Sequence, residues 1–62
     1  MYKIITELFN KDEHSYDERV KVLEQSINNI TYSNEWELVQ IIGSEDNEYY
    51  KYMLVFKRIN DG

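Results

Sequence analysis

Near the C-terminal end, two runs, Glu35-Trp36-Glu37-Leu38-Val39-Gln40-Ile41-Ile42 and Tyr49-Tyr50-Lys51-Tyr52-Met53-Leu54-Val55-Phe56-Lys57-Arg58, are dense in β-branched and aromatic residues. Between them lies the turn-forming run Gly43-Ser44-Glu45-Asp46-Asn47-Glu48, so the two runs read as the arms of one β-hairpin. Residues 2–9, Tyr2-Lys3-Ile4-Ile5-Thr6-Glu7-Leu8-Phe9, have the same character and predict a first strand, ended by the polar run Asn10-Lys11-Asp12-Glu13-His14. The pattern then changes period. Tyr16, Val20, Leu23, Ile27 and Ile30 recur at alternating steps of four and three, which sets them on one stripe of a helix. Ser15-Tyr16-Asp17-Glu18 has the form of a capping box, and Asp17 and Glu18 favour the positive end of the helix dipole. Asn28, Asn29, Thr31, Ser33 and Asn34 weaken the helix toward its end and predict a stop near Tyr32.

The element order is β-α-β-β, an α+β chain in one small domain over residues 1–62. A right-handed crossover makes the first two strands parallel, and the hairpin sets the last strand antiparallel to the second, so the expected sheet order is 1-3-2. The expected hairpin register sets Trp36 opposite Phe56, Leu38 opposite Leu54, Gln40 opposite Tyr52 and Glu35 opposite Lys57. The face toward the helix then carries Trp36, Leu38, Ile42, Tyr50, Tyr52, Leu54 and Phe56, joined by Tyr2, Ile4 and Leu8 of the first strand. Ile5, Phe9, Val39, Ile41, Met53 and Val55 fall on the other face, where one helix cannot cover them, and form the expected interface.

Length sharpens that expectation. A chain of 62 residues buries only about 60% of the surface it exposes when unfolded, and small scaffolds commonly need disulfides, a metal or association to be stable. There is no cysteine, which removes disulfides and thiolate zinc sites and leaves a homo-oligomer, dimeric or higher, as the expected form. A formal charge of −5 opposes contact with nucleic acid, because that affinity comes largely from Lys and Arg neutralising phosphates. The start Met1-Tyr2-Lys3-Ile4-Ile5-Thr6-Glu7 shows no basic region followed by a long apolar run, and no stretch approaches the roughly 20 residues of a membrane span. A cytoplasmic protein without a membrane partner is expected. Alanine and proline are absent while Ile, Asn, Tyr, Glu and Lys are common, a bias that suits an AT-rich coding sequence such as that of a low-GC bacterium or its phage.

The residues offer little for catalysis. His14 is the single histidine and is placed in a polar loop, whereas catalytic geometry needs side chains locked on supported elements. Asp12, Glu13, His14 and Asp17 lack the alternation and glycine of a calcium loop, and Glu45, Asp46 and Glu48 read as a solvated turn. Glu35 and Glu37 share a strand face, a spacing open to paired-carboxylate chemistry, but an ion pair of Glu35 with Lys57 on an edge strand explains it as well. The only glycines are Gly43 and Gly62, so there is no phosphate-binding glycine loop. No catalytic residue, metal site or cofactor is expected. One group could recognise a ligand: aromatic rings stack on bases and cations meet phosphates, which makes Tyr49, Tyr50, Lys57 and Arg58 candidates for a small anionic, nucleotide-like molecule held between subunits. Trp36, Tyr52 and Phe56 read as core.

Tyr2-Lys3-Ile4-Ile5, Glu35-Trp36-Glu37-Leu38-Val39 and Leu54-Val55-Phe56-Lys57-Arg58 around a central helix resemble a family of very small bacterial and phage proteins, domain-of-unknown-function family 4177. The resemblance covers nearly the whole chain. It implies the β-α-β-β fold and no activity. Family members carry a glycine immediately before the tryptophan to make a tight strand entry, and here that position is Glu35. Taken together, the residues predict a non-catalytic oligomeric interaction or regulatory module, phage-associated, whose partner is itself or a host or regulatory protein. The alternative is an oligomer that sequesters a nucleotide-like ligand and so inhibits a signalling or defence pathway.

Overall fold

The computed structural model describes residues 1–59, and Gly62 lies outside the described residues. Its elements are β1 (Tyr2–Asn10), α1 (Tyr16–Thr31), β2 (Trp36–Glu45) and β3 (Tyr49–Arg58). The sheet is three-stranded with order β1-β3-β2, and β3 runs antiparallel to both neighbours, so the α+β class and the 1-3-2 order are as the sequence implies.

The helix begins where its cap says it should. Ser15 is extended at φ −75 and ψ 168; its Oγ accepts from the Glu18 amide at 3.2 Å, and the Glu18 carboxylate accepts from the Ser15 amide at 3.0 Å. It ends at Tyr32, whose amide donates to the Asn28 carbonyl at 2.9 Å. Two residues on, Asn34 adopts φ 62, and its amide donates to the Thr31 carbonyl at 3.0 Å. The left-handed residue that reverses the chain into β2 is therefore Asn34, a residue type that tolerates this conformation, and Glu35 need not be a glycine.

Connectivity fixes how the helix lies. β1 ends at the hairpin end of the sheet, where Asn10 faces Tyr49, and β2 begins at the opposite end, where Trp36 faces Arg58. A helix of 16 residues, about 24 Å long, must cross the sheet between those corners. Val20, Leu23, Ile27 and Ile30 are half-buried on the sheet, whereas Tyr16, expected on that stripe, is 70% exposed. The fully buried core consists of Phe9, Leu54 and Phe56.

Three expectations are corrected. The hairpin register is Trp36 opposite Arg58, Glu37 opposite Lys57 and Leu38 opposite Phe56, two residues from the expected pairing, so Glu37 rather than Glu35 faces Lys57. The strands extend further into the expected turn: Gly43, Ser44 and Glu45 belong to β2, and Asp46 closes the loop by accepting from the Glu48 and Tyr49 amides at 2.7 Å each. A bulge between Leu38 and Gln40 then shifts the phase of β2, which sets Ile41 opposite Leu54 on the helix side and Ile42 opposite Met53 on the outer side. The third correction concerns β1. Phe9 is 3% exposed and lies edge-on to Tyr52 at 5.8 Å, so the row Lys3, Ile5, Glu7, Phe9 faces the helix and Tyr2, Ile4 and Leu8 face outward. The two charges in the inner row are accommodated: Glu7 Oε1 accepts from Ser26 Oγ at 3.3 Å, and Lys3 Nζ lies 4.7 Å from the Trp36 ring.

Candidate interaction surface

Residues paired across antiparallel strands project to the same side, so the register defines the outer face row by row. From one end it reads Tyr2–Lys57–Glu37, Ile4–Val55–Gln40, Thr6–Met53–Ile42 and Leu8–Lys51–Ser44. The two middle rows carry no charge. Tyr2, Ile4, Leu8 and Ile42 are exposed, at 64%, 54%, 60% and 43%, and no element of the described chain lies over them. Val39, at the bulge, is exposed as well. At about 4.8 Å between strands and 6.6–6.8 Å between rows, the face measures roughly 14 by 27 Å.

Of the residues expected at an interface, Met53 and Val55 lie at the centre of this face and Val39 lies on the exposed bulge. Ile5 and Phe9 do not belong to it, because they point at the helix, and Ile41 has been carried to the helix side by the bulge. Tyr2, Ile4, Leu8 and Ile42 replace them. The signal that would have found these four is the strand phase, which β1 alone does not fix, since both of its rows carry apolar residues.

The candidate ligand residues are not brought together. Tyr49 and Tyr50 sit at the hairpin end of β3, and Lys57 and Arg58 at the other end, about 25 Å away along an extended strand. No nucleotide-sized molecule spans that within one chain. Each group has a local engagement instead. Arg58 shares the face of Trp36, with its guanidinium 5.7 Å from the indole, so that Lys3 and Arg58 both lie over one half-buried ring. At the other end the Arg19 guanidinium stacks over Tyr50 at 4.1 Å and the Lys11 ammonium approaches the same ring at 4.9 Å. Lys11 also binds Glu45 at 2.6 Å, and this contact raises the lysine above its ordinary pKa. Arg19 Nη1 donates to the His14 carbonyl at 3.1 Å. His14 is half-buried, edge-on to Phe9 at 5.4 Å, rather than free in a polar loop. These contacts join the loop after β1, the start of α1 and the hairpin.

Beside this cluster, the diagonal path of the helix leaves a corner of β2 uncovered, and an open depression of about 330 Å³ is lined by Gly43, Ser44, Glu45, Tyr50 and Tyr52. Among the described residues no three His, Asp or Glu side chains converge as a metal site would require, and no helix is long and apolar enough to cross a membrane. Comparison with protein-family models, with curated proteins and with solved structures finds no match to this chain.

Proposed function

We propose that the protein is a non-catalytic, self-associating module of the cytoplasm, whose partner across the outer sheet face is a second copy of itself. Kinship with family 4177 belongs to the same proposal; it contributes the fold and no reaction. The observation that carries the reading is the uncharged centre of the outer face, Ile4, Val55, Gln40, Thr6, Met53 and Ile42, with exposed Tyr2 and Leu8 at its ends. A largely apolar patch of this size that its own chain leaves uncovered often marks an interaction site. Its size supports a second copy: two faces of roughly 14 by 27 Å, with side-chain relief, remove about 1,000 Å² from water, the lower bound for a specific interface. Packing face to face also gives the sheet the second apolar layer that the single helix leaves missing.

Light scattering tests the reading. The parent chain at micromolar concentration is expected to have the mass of more than one chain, and Ile42→Lys combined with Met53→Glu to lower it. These two positions face each other in the sheet, so the new charges attract within a subunit while making its outer face costly to bury. A parent mass equal to one chain overturns the proposal.

A further inference from the structure

We propose a second self-association site, the open edge of β1, through which two copies join their sheets antiparallel about a twofold axis at Ile5. The partner is again a second copy, so this deepens the self-association reading, while resting on the backbone of β1 and its inner row rather than on the side chains of the outer face.

The backbone carries the first argument. The Arg58 amide donates to the Met1 carbonyl at 3.2 Å and the Lys11 amide to the Glu48 carbonyl at 2.8 Å. Both bonds continue the register in which Tyr2 faces Lys57, so the odd-numbered positions of β1 bond to β3. Antiparallel strands alternate in this respect, and the even positions turn their N–H and C=O groups to the open side. Asn10 is capped, because its carbonyl accepts from the Glu13 amide at 3.1 Å. The unpaired stretch is therefore Tyr2, Ile4, Thr6 and Leu8, with its midpoint at Ile5. Pairing about that midpoint sets Tyr2 against the partner's Leu8 and Ile4 against the partner's Thr6, and uses the outward N–H and C=O groups of all four residues.

The side chains select the same register independently. It places Lys3 against the partner's Glu7, twice by symmetry, and Ile5 against the partner's Ile5. A shift by two residues in one direction sets Lys3 against the partner's Ile5, and in the other sets Ile5 against the partner's Glu7. Only the centred register pairs opposite charges. The other edge of the sheet is unsuited: β2 is broken by its bulge and carries Glu37 and Glu45, with Glu35 immediately before it. No bulge interrupts β1. The edge axis runs perpendicular to the sheet and the face axis parallel to it, so both can hold in one closed tetramer of two six-stranded sheets.

Thr6→Pro tests the edge, because it removes an outward N–H and no bond to β3; Thr6→Val, which changes only the side chain that Thr6 projects onto the outer face, is its control and is expected to keep the parent mass. By light scattering the parent is expected at four chains, Thr6→Pro at two, Ile42→Lys with Met53→Glu also at two, and the three substitutions together at one. If Thr6→Pro keeps its circular dichroism and its parent mass, the edge proposal falls and the face proposal stands; if it lowers the mass while Thr6→Val and the pair Ile42→Lys with Met53→Glu do not, the reverse holds. Should Thr6→Pro fail to fold, single cysteines decide, since the parent has none. The register puts Ile5 and the partner's Ile5 in a non-hydrogen-bonded pair with Cα atoms about 4.5 Å apart, within disulfide reach. Under oxidised glutathione Ile5→Cys is expected to give a covalent dimer, and Lys3→Cys at least about tenfold less, because Lys3 faces the partner's Glu7 and lies off the outer face. No dimer from Ile5→Cys, or equal yields from both, overturns the edge pairing.

Discussion

At the scale of single residues, burial separates side chains that look equivalent in the sequence. Phe56 and Leu54 are 0% exposed because β3 has a strand on either side and the helix above it. Trp36, at the end of an edge strand, is only half-buried and is covered on its ring by Lys3 and Arg58. Truncating a buried phenylalanine costs about 3–5 kcal/mol, comparable with the roughly 3–9 kcal/mol that a domain of this length can hold in total. Phe56→Ala is therefore expected to abolish the folded baseline in a urea titration. Trp36→Ala loses about half that surface and is expected to cost about 2 kcal/mol with the fold retained. Equal costs would mean that Trp36 is core in the same sense as Phe56. Gly43 gives a prediction of opposite sign. It lies in β2 opposite Tyr52, its φ is not positive, and a Cβ would meet the Tyr52 ring at 3.6 Å, an ordinary contact distance. Gly43→Ala is expected to raise stability by about 0.4–1 kcal/mol in the same titration, chiefly by restricting the unfolded chain; a loss would mean that the position serves as a turn.

At the scale of elements, two ends are held by carboxylates that bind backbone amides, and both are legible in pH. The amide and hydroxyl of Ser15 hold Glu18 below its ordinary pKa, and the amides of Glu48 and Tyr49 hold Asp46 below its own. A group whose pKa is lowered by folding stabilises fully above its unfolded value and loses that contribution as pH falls through the folded value. Lys11, raised by Glu45, contributes fully below its unfolded value and loses the contribution as pH rises through the folded one. The melting temperature is thus expected to be level around neutrality and to fall on both the acid and strongly alkaline sides. Asp46→Asn keeps the acceptor oxygen and removes the charge, so its acid limb is expected to be shallower; limbs that overlay would show that this turn does not titrate with folding. The same contrast explains what the sequence could and could not disclose. Ser15 and Glu18 interact with atoms three residues away, and the helix they cap is legible from local chemistry alone. The strands and their order follow from composition and chain handedness. The face of β1 does not, because Ile5 and Phe9 in one row and Tyr2, Ile4 and Leu8 in the other are equally apolar, and the choice is made by distant contacts of Phe9 with Tyr52 and of Glu7 with Ser26. The bulge after Leu38 has no local signal, yet it exchanges Ile41 for Ile42 on the outer face. Met53 and Val55 could be placed there from sequence; their four exposed apolar neighbours could not.

At the scale of the whole molecule, the described chain is a slab of 45 × 18 × 11 Å with a radius of gyration of 12.9 Å. A compact chain of this length would have a radius near about 10.5 Å, so the fold exposes more surface for its volume than its size alone requires. A single helix crossing a three-stranded sheet diagonally cannot change that; a second sheet against the outer face can. Stability and assembly should then be one equilibrium, in which association stabilises the folded chain by mass action. In the four-chain form each chain gains about 1 kcal/mol per tenfold rise in concentration, three association steps being shared among four chains, so the melting temperature is expected to climb about 4–8 °C per decade. The chain carrying Thr6→Pro, Ile42→Lys and Met53→Glu should melt lower and at a temperature independent of concentration. Calorimetric or dichroic melts of the parent from roughly 1 to 100 µM decide the matter, since a flat midpoint over those two decades would mean that the thin slab stands without a partner.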